Sequence, residues 1–179
     1  QELVAAGHRV QVETQAGFGS GYTDQDYLEA GAEIGSDAGA VYEAAELLLK
    51  VKEPIDREVD YLRPRQLLFS FLHLAAEPVL RRRLCDIGLT AIGFETVADR
   101  GGLPVLAPMS NIAGRIAVQV GTHLLHSPSG GRGVLLGGLG SVERGRVVVL
   151  GAGQAGGNAV RLAAALGANV TVFDRDLAK

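Results

Sequence analysis

A glycine turn between residues 151 and 156 carries the sharpest chemical signal in the sequence. Gly151, Gly153 and Gly156 have the spacing G-x-G-x-x-G, directly after the apolar run 147–150 and before a segment with helical periodicity. In such a turn the first glycine permits the tight bend, the second lets a pyrophosphate approach the backbone, and the third lets helix and strand pack closely. Free N–H groups at the helix N-terminus attract anions. The pattern therefore predicts dinucleotide binding.

An acidic residue follows this turn at the distance that dinucleotide-binding domains use. Asp174 lies 23 residues after Gly151, at the end of a second predicted strand over 169–173. Its carboxylate is expected to bind the adenosine ribose hydroxyls and to repel a 2′-phosphate, which favours NAD over NADP. The neighbouring Arg175 could bind that phosphate instead. FAD uses the same fingerprint, usually at the start of a chain, and a turn that uses its glycines for packing alone is the remaining alternative.

Two polar residues follow consecutive apolar strands in the first half of the sequence. Lys52 ends the run 47–52, and His73 follows the run 66–72. Because ligands of open parallel sheets collect at the carboxyl ends of the strands, both side chains are candidates for catalysis. A lysine there can hold a carboxylate or polarise a carbonyl, and a histidine can exchange a proton near neutral pH. The alternatives are a solvated strand end for the lysine and a structural hydrogen bond for the histidine.

Other reactive side chains are assigned to structural or surface positions. The arginines 81–83 are consecutive on a helix and cannot share a face, so a solvated surface is expected. His123 and His126 lack a third ligand at a suitable spacing, so no metal site is predicted. Cys85 is expected to be a buried, inert thiol. Ser110 is first a helix N-cap and second a candidate cofactor contact.

Strands and helices that could position these residues alternate along the chain. Five strands are predicted in the first hundred residues, over 9–13, 32–34, 47–52, 66–72 and 89–94. Helices are predicted between them, over 24–30, 37–46, 56–62 and 78–87, with Thr23, Ser36 and Pro78 at helix starts. The strand over 47–52 is expected to be buried on both faces. This alternation predicts an α/β fold of two doubly wound, Rossmann-like domains, with parallel sheets and helices on both faces.

A long helix predicted over 111–126 marks the division between the two domains. It carries a row of apolar residues at helical spacing, Ile112, Ile116, Val120 and Leu124. That row is expected to be buried. The prediction is a substrate domain over 1–106, then a cofactor domain over 107–179 that begins with this connector helix. The glycine-rich stretch 130–140 has no assigned function, and one short strand is expected within it, at 134–136.

Composition excludes several classes of protein. Hydrophobic residues make up 47%, which supports a sizeable core, and the net charge of −3 leaves no footprint for nucleic acid. One cysteine excludes an internal disulfide framework, and no apolar stretch approaches the ~20 residues of a membrane span. A cytoplasmic protein is expected. The sequence begins like the end of a helix and ends, at 176–179, like the first turn of another, so both domains are expected to be incomplete.

Several strings resemble the family of alanine dehydrogenase and the nicotinamide nucleotide transhydrogenase α subunit. The resemblance covers essentially the whole chain. It rests on GFGSGYTD at 17–24, LKVKEP at 49–54, FLHLA at 71–75, APMS at 107–110, AGR at 113–115 and the glycine turn at 151–156. The stretch 137–142 departs from the family pattern because it lacks a proline, which affects the shape of that loop.

The resemblance implies NAD-dependent oxidative deamination of L-alanine to pyruvate and ammonia, and the reverse reaction. It implies that Lys52 binds the substrate's carboxylate or carbonyl oxygen and that His73 serves in substrate binding and acid–base chemistry. Ser110 would touch NAD near the domain hinge, and Asp174 would hold the adenosine ribose. The family also suggests a homo-oligomer, commonly a hexamer.

The alternative within the family is the NAD(H)-binding module of a proton-translocating transhydrogenase. In that branch neither the histidine His73 nor the KVKEP string at 50–54 is expected. The family's substrate-binding arginine and catalytic aspartate are expected upstream of Gln1 and downstream of Lys179. The 179 residues alone are therefore expected to be inactive.

Overall fold

Parallel strands joined by helices form both parts of the chain. The computed structural model describes residues 1–176, and the chain divides into two units, residues 1–97 and 98–179. All pairs of extended strands in the described residues are parallel, so the prediction of an α/β fold with Rossmann-like parallel sheets is confirmed. Residues 177–179, where a helical turn was expected, lie outside the described residues. Within residues 1–176 no helix is long and apolar enough to cross a membrane.

The first unit alternates strands and helices. Its strands are β1 Gln11–Glu13, β2 Glu33–Gly35, β3 Leu47–Leu49, β4 Leu67–Ser70 and β5 Thr90–Gly93. Its helices are α1 Glu2–Ala5, α2 Asp24–Glu29, α3 Ala38–Ala44, α4 Asp56–Val59 and α5 Pro78–Ile87. Strand β1 pairs with β2, and β4 lies between β3 and β5 in a three-stranded sheet.

Local signals at the helix ends explain most of these boundaries. Thr23 forms a capping box with Asp26, whose carboxylate accepts from the Thr23 backbone N–H at 2.6 Å. Helix α5 begins at Pro78 and ends at Gly88, which takes the left-handed φ of +76°. The expected N-cap of α3 is wrong by one residue. The helix starts at Ala38, so Asp37 is the N-cap, and its carboxylate accepts from the Ala40 N–H at 2.9 Å.

The core of the first unit lies on one face of the three-stranded sheet. It contains side chains from strands β3 and β4, from helices α3, α4 and α5, and from the segments that follow α4 and β4: Tyr42, Leu48, Val59, Leu62, Leu68, Leu72 and Leu84. The neighbours of Leu48 on β3 point the other way, and Leu47 and Leu49 are about half exposed. The expectation that this strand is buried on both faces is therefore wrong for the described residues, because the helices of the core cover only one side.

In the second unit, a long helix precedes a β-α-β motif. Its elements are α6 Ala107–Leu125, β6 Arg146–Leu150, α7 Gln154–Ala165 and β7 Asn169–Phe173. Strands β6 and β7 pair in parallel, and the buried core contains Val118, Leu136, Ala163 and Ala168. The strand expected at 134–136 does not form, since this stretch consists of turns and irregular backbone around the buried Leu136.

Helix α6 differs from its prediction in its start and in its buried face. It begins at Ala107, so Ser110 lies inside the first turns and is not the N-cap. Pro108 fits this start because a first-turn residue needs no N–H donor for the helix. The predicted apolar row is about half exposed along its length, and the buried residues are Gly114 and Val118 instead. The expected burial of the row is therefore wrong for the described residues.

A close crossing of α6 over the start of α7 sets the buried face of α6. A Cβ added at Gly114 would overlap the carbonyl oxygen of Ala155. Beside this contact the buried Asn158 side chain donates to Asn111 Oδ1 and to the Gln154 carbonyl, both at 2.8 Å. Asn158 Oδ1 in turn accepts from Arg115 Nε at 3.3 Å. Close packing and hydrogen bonds thus hold α6 against α7 next to the glycine turn.

This crossing predicts opposite effects for two glycines of the same helix. Gly114→Ala should lower the free energy of unfolding by about 1–3 kcal/mol, the usual cost of overpacking. Gly121→Ala adds its Cβ where nothing lies within 4 Å. It should raise the free energy of unfolding by up to about 1 kcal/mol, because alanine is the better helix former. Chemical denaturation of both variants is the measurement, and equal changes would contradict the close crossing.

Candidate functional site

The ends of β3 and β4 bring the two predicted catalytic residues to the same place. Both strands end earlier than predicted, so Lys52 and His73 lie in the loops that follow β3 and β4. The loops are joined by a hydrogen bond from the Phe71 N–H to the Val51 carbonyl, 3.1 Å long. Glu53 lies between the candidates, with Oε2 3.6 Å from Lys52 Nζ and 3.4 Å from His73 Nδ1. The structure therefore groups a lysine, a carboxylate and an imidazole.

The two lysines of this loop have different environments. Lys50 Nζ lies 2.6 Å from Glu58 Oε2, and the same oxygen accepts from the Ile55 N–H at 2.7 Å. That ion pair ties the end of β3 to the start of α4, which is a structural role. The Lys52 side chain is 71% exposed, so its ammonium group can reach a ligand from solvent. Lys52 is therefore the better candidate of the two for substrate binding.

The backbone of His73 is in a conformation that residues other than glycine rarely adopt. Its φ is +50°, in the left-handed region, which costs a side-chain-bearing residue roughly 1–2 kcal/mol. Hydrogen bonds hold it on both sides. Its N–H donates to Glu95 Oε1 at 2.8 Å, and its carbonyl accepts from the N–H groups of Ala76 and Glu77 at 2.8 and 3.1 Å. Backbone strain of this kind is concentrated at functional sites.

Glu95 belongs to this cluster and was missed by the sequence reasoning. Its carboxylate also accepts from the Leu72 N–H at 3.3 Å. Burial acts to raise the pKa of Glu95, but hydrogen bonds from the backbone N–H groups of Glu95, His73 and Leu72 outweigh it and lower that pKa. A Cβ at Gly93 would lie 2.9 Å from Glu95 Oε1, so the glycine leaves room for the carboxylate. Its position directly after the fifth predicted strand, 89–94, was the signal that could have found it.

Glu53 was also missed, although it directly follows Lys52 in the sequence. Its own backbone N–H is the main cause that lowers the pKa of its carboxyl group. Burial opposes that shift, whereas the charges of Lys52 and His73 reinforce it. Glu53 is therefore ionised at neutral pH. No spacing rule in the sequence distinguishes it from an ordinary surface carboxylate.

An aromatic cluster forms one wall beside the imidazole. The rings of Phe71 and His73 are stacked, with centroids 6.2 Å apart and planes at 28°. Phe94 meets Phe71 edge-on at 5.1 Å and Phe69 edge-on at 4.3 Å. Phe71 thus flanks one side of the imidazole, while half of the His73 side chain remains exposed. The cluster can therefore bind an anionic or carbonyl group through Lys52 and transfer a proton through His73.

The glycine turn of the second unit has the backbone that its spacing predicts. Gly151 directly follows β6 with a φ of +95°, and Gly153 is the N-cap of α7 in extended conformation. A Cβ at Gly156 would overlap the Gly151 carbonyl oxygen, whereas a Cβ at Gly153 would meet nothing within 4 Å. Gly151 and Gly156 are thus required by the fold of the turn. Gly153 leaves an open space above the helix N-terminus, as a phosphate-binding turn needs.

Asp174 lies directly after β7 and reaches back to this turn. Its Oδ2 accepts from the N–H of Ala152, and its Oδ1 accepts from the N–H of Asp176 at 2.8 Å. The carboxylate is therefore held beside the glycine turn, where the sequence predicts the adenosine ribose. Arg175, the alternative contact for a 2′-phosphate, is exposed next to it.

Comparison with protein families matches both parts of the chain. Residues 1–113 match the family model described as Alanine dehydrogenase/PNT, N-terminal domain, and residues 117–179 match its C-terminal domain. The chain belongs to the alanine dehydrogenase/PNT family. The resemblance drawn from the LKVKEP, FLHLA and glycine-turn strings is confirmed.

Curated relatives and solved structures agree with this membership. An alanine dehydrogenase of Bacillus subtilis is 50% identical over 97% of this chain and 46% of its own length. One from Mycobacterium tuberculosis is 52% identical over 99% of this chain and 48% of its own. A solved L-alanine dehydrogenase superposes with a TM-score of 0.90 at 49% identity, covering 99% of this chain and 49% of that one. The chain spans about half the length of the curated relatives it matches.

A solved transhydrogenase from Sinorhizobium meliloti is similar to a lesser degree. Its TM-score is 0.83 at 28% identity, and the match covers 99% of this chain and 53% of that one. Both branches of the alanine dehydrogenase/PNT family thus share the fold of this chain. Sequence identity favours the dehydrogenase branch.

The predictions for Ser110, Cys85 and Arg83 have different outcomes. Ser110 is half-buried one helical turn before Gly114, and its contact with a cofactor stays a prediction. Cys85 is exposed, so its expected burial is wrong; it lies next to the buried Leu84 but on the outer side of α5. Arg83 is not simply solvated, because it pairs with Asp56 and Asp60 of the α4 region at 2.7 and 3.0 Å.

His123 lies in the last turn of α6, and His126 directly follows that helix. His123 and His126 are exposed, and His123 Nε2 lies 3.2 Å from Ser129 Oγ. Among residues 1–176 no group of three or more His, Cys, Asp or Glu side chains could hold a metal ion.

Proposed function

We propose that the protein containing this chain is an NAD-dependent alanine dehydrogenase, which converts L-alanine to pyruvate and ammonia and catalyses the reverse amination. The observation that carries the proposal is the cluster of Lys52, Glu53 and His73 at the ends of two parallel strands. Lys52 supplies a cation that can bind the carboxylate of an α-amino acid, and His73 supplies an acid–base group that can exchange protons with its amino group. The similarity to alanine dehydrogenases over 97% of the chain supports the same reaction.

The roles of the two residues follow from their chemistry. Lys52 holds the carboxylate or the carbonyl oxygen of the substrate, because its exposed ammonium is a compact positive charge. His73 takes and returns the protons as water adds to the oxidised carbon, ammonia leaves and the carbonyl of pyruvate forms. Bound NAD would supply the acceptor for the hydride. The 179 residues alone are proposed to be inactive, as the family resemblance implies.

The glycine turn fits the cofactor. Gly151 and Gly156 shape the turn, Gly153 leaves the open space through which a pyrophosphate would pass, and the N-terminus of α7 favours its charge. Asp174 would bind the adenosine ribose, and Ser110 would contact the cofactor from α6. We extend the proposal to a substrate domain over 1–106 and a cofactor domain over 107–179, in a cytoplasmic homo-oligomer, with a hexamer implied by the family resemblance.

Cofactor choice is testable at Asp174. Asp174→Ala removes the carboxylate that would accept from the ribose hydroxyls and repel a 2′-phosphate, while Arg175 remains. The preference for NAD over NADP should fall by about tenfold or more, which corresponds to roughly 1.4 kcal/mol. The measurement is kcat/KM for each cofactor. Asp176→Ala is the matched control, and an unchanged NAD/NADP ratio in Asp174→Ala would count against the ribose role.

The function itself is tested on the complete gene product that contains residues 1–179. We expect NADH formation that depends on L-alanine, and NADH consumption that depends on pyruvate and ammonia together. The second candidate is an NAD(H)-binding module of a transhydrogenase, favoured by the shared fold with the Sinorhizobium meliloti protein. That candidate predicts NAD binding without any amino-acid substrate. NAD binding with no alanine-dependent NADH would therefore replace the first proposal with the second.

A further inference from the structure

Two carboxylates contact His73 from opposite ends of the residue. Glu95 accepts from the backbone N–H of His73 at 2.8 Å. Glu53 faces the ring, with its Oε2 3.4 Å from His73 Nδ1. The two glutamates come from different loops, one after β3 and one after β5, so the fold brings them to the histidine independently.

We propose that Glu53 and Glu95 are positioning residues for His73: Glu95 holds the left-handed backbone turn, and Glu53 orients the ring so that Nε2 faces the substrate. The inference rests on the proposed function for the role of Nε2 in proton transfer. The pairing of Glu53 with the ring is a separate claim about the protein itself.

Burial and acceptor chemistry make the imidazole of His73 the partner of Glu53. Glu53 Oε2 is buried and has no hydrogen bond of good geometry from the described residues, although His73 Nδ1 lies within ion-pair distance. A small rotation of the imidazole would align the Nδ1–H with that oxygen. An ionised carboxylate only accepts, so a neutral ring that pairs with it must carry its proton on Nδ1. Nε2 is then left with its lone pair, as a base requires.

The contact of Glu95 with the backbone holds a strained conformation of His73. A side-chain-bearing residue at a φ of +50° persists only where its surroundings impose it. Glu95 does so through its hydrogen bonds to the consecutive N–H groups of Leu72 and His73. Gly93 makes this possible, because any larger residue there would press on the carboxylate. The turn aims the His73 side chain toward the loop that contains Lys52 and Glu53.

Lys52 offers a competing explanation for Glu53, as the partner of a simple surface ion pair. Its Nζ is 3.6 Å from Glu53 Oε2, slightly farther than the imidazole, and its side chain is 71% exposed. An exposed ammonium keeps most of its hydration and contributes little to such a pair. The buried oxygen therefore has its more constrained partner in the ring, and the two explanations predict different results for the histidine tautomer.

The test is Glu53→Gln in the complete gene product, with the exposed Glu43→Gln as the matched loss of one negative charge. With ¹⁵N-labelled histidine at about pH 8.5, where an ordinary imidazole is neutral, the His73 signals are assigned by their loss in His73→Ala. We expect the Nδ1–H tautomer in the wild type and in Glu43→Gln, and a shift toward Nε2–H in Glu53→Gln. In the alanine assay, Glu53→Gln should lower kcat by about 10–100-fold, which is the usual loss when a residue that orients a functional imidazole is replaced. The KM for alanine should stay within about twofold.

Each outcome decides the proposal. An unchanged tautomer in Glu53→Gln overturns it, and so does an unchanged kcat in an active enzyme. Glu95→Gln should lower kcat as well, but it also endangers folding of the turn, so Glu53→Gln is the decisive variant. If the wild type forms no NADH from L-alanine, the proposed function fails while the tautomer measurement still supports or overturns the pairing of Glu53 with His73.

Discussion

Replacing His73 with alanine should lower the turnover of L-alanine by roughly 10²–10⁴-fold, the usual contribution of a positioned acid–base group. The reason is that His73 is the half-exposed imidazole of the cluster, stacked on Phe71 and held at its backbone by Glu95. The loss should appear in kcat more than in the KM for NAD, because the glycine turn proposed to bind the cofactor belongs to the other unit of the chain. Steady-state kinetics of alanine-dependent NADH formation is the measurement.

The control for this variant is His8→Ala, which removes an exposed histidine from the same unit. It should leave kcat and both KM values unchanged. Full activity of His73→Ala would show that His73 takes no part in the reaction. The alternative, that this histidine only makes a structural hydrogen bond, would then hold. A comparable loss in His8→Ala would mean that the assay reports general damage instead of the chemistry.

The strain at His73 gives the same variant a second readout. If the left-handed backbone is imposed for function, His73→Gly should have a higher free energy of unfolding than His73→Ala by about 1 kcal/mol, because glycine adopts this φ without steric cost. Both variants should be equally inactive. A more stable but equally inactive His73→Gly would show that the fold imposes on residue 73 a backbone conformation that a side-chain-bearing residue disfavours.

The candidate site illustrates how far residue types and spacing lead. Lys52 and His73 could be predicted because both follow apolar runs, and parallel strands deliver their carboxyl ends to one edge of a sheet. Glu95 likewise follows the fifth strand, yet its carboxylate accepts from the backbone N–H groups of Leu72 and His73, and no sequence pattern predicts that contact. Glu53 follows no rule at all. Its role depends on which side chain lies across from it, and only the packed chain determines that.

In the fold, features set by neighbouring residues could be predicted, whereas features set by tertiary contacts could not. The capping box of Thr23 and the stop at Gly88 are encoded within a few residues, so they could be predicted. The expected burial of the apolar row of α6 was wrong because it needed information from another helix. Spacing identifies which residues lie on a common helix face, but the close contact of Gly114 with Ala155 decides which face is buried.

Gly153→Ala should weaken NAD binding by about tenfold or more while leaving the chain folded, which makes it the second large effect expected. The pyrophosphate of a dinucleotide approaches the backbone at the middle glycine, so a methyl group there occupies the space that the ligand needs. The protein itself has room for that methyl group, since nothing lies within 4 Å and the φ of −67° suits alanine. The free energy of unfolding should fall by no more than about 1 kcal/mol, the difference between glycine and alanine as N-caps.

The choice of Gly153 over its neighbours is what allows the result to be interpreted. Gly156→Ala would place a Cβ on the Gly151 carbonyl oxygen, so any loss of binding would follow from a distorted turn. Gly157→Ala is the matched control, because its Cβ makes only an ordinary contact, at 3.6 Å from the Ala152 oxygen and from the Arg161 side chain. Calorimetry should show wild-type affinity for NAD in Gly157→Ala and reduced affinity in Gly153→Ala, with both folded. Equal affinity in the two variants would mean that the turn uses its glycines for packing alone, and the cofactor proposal would lose its main structural support.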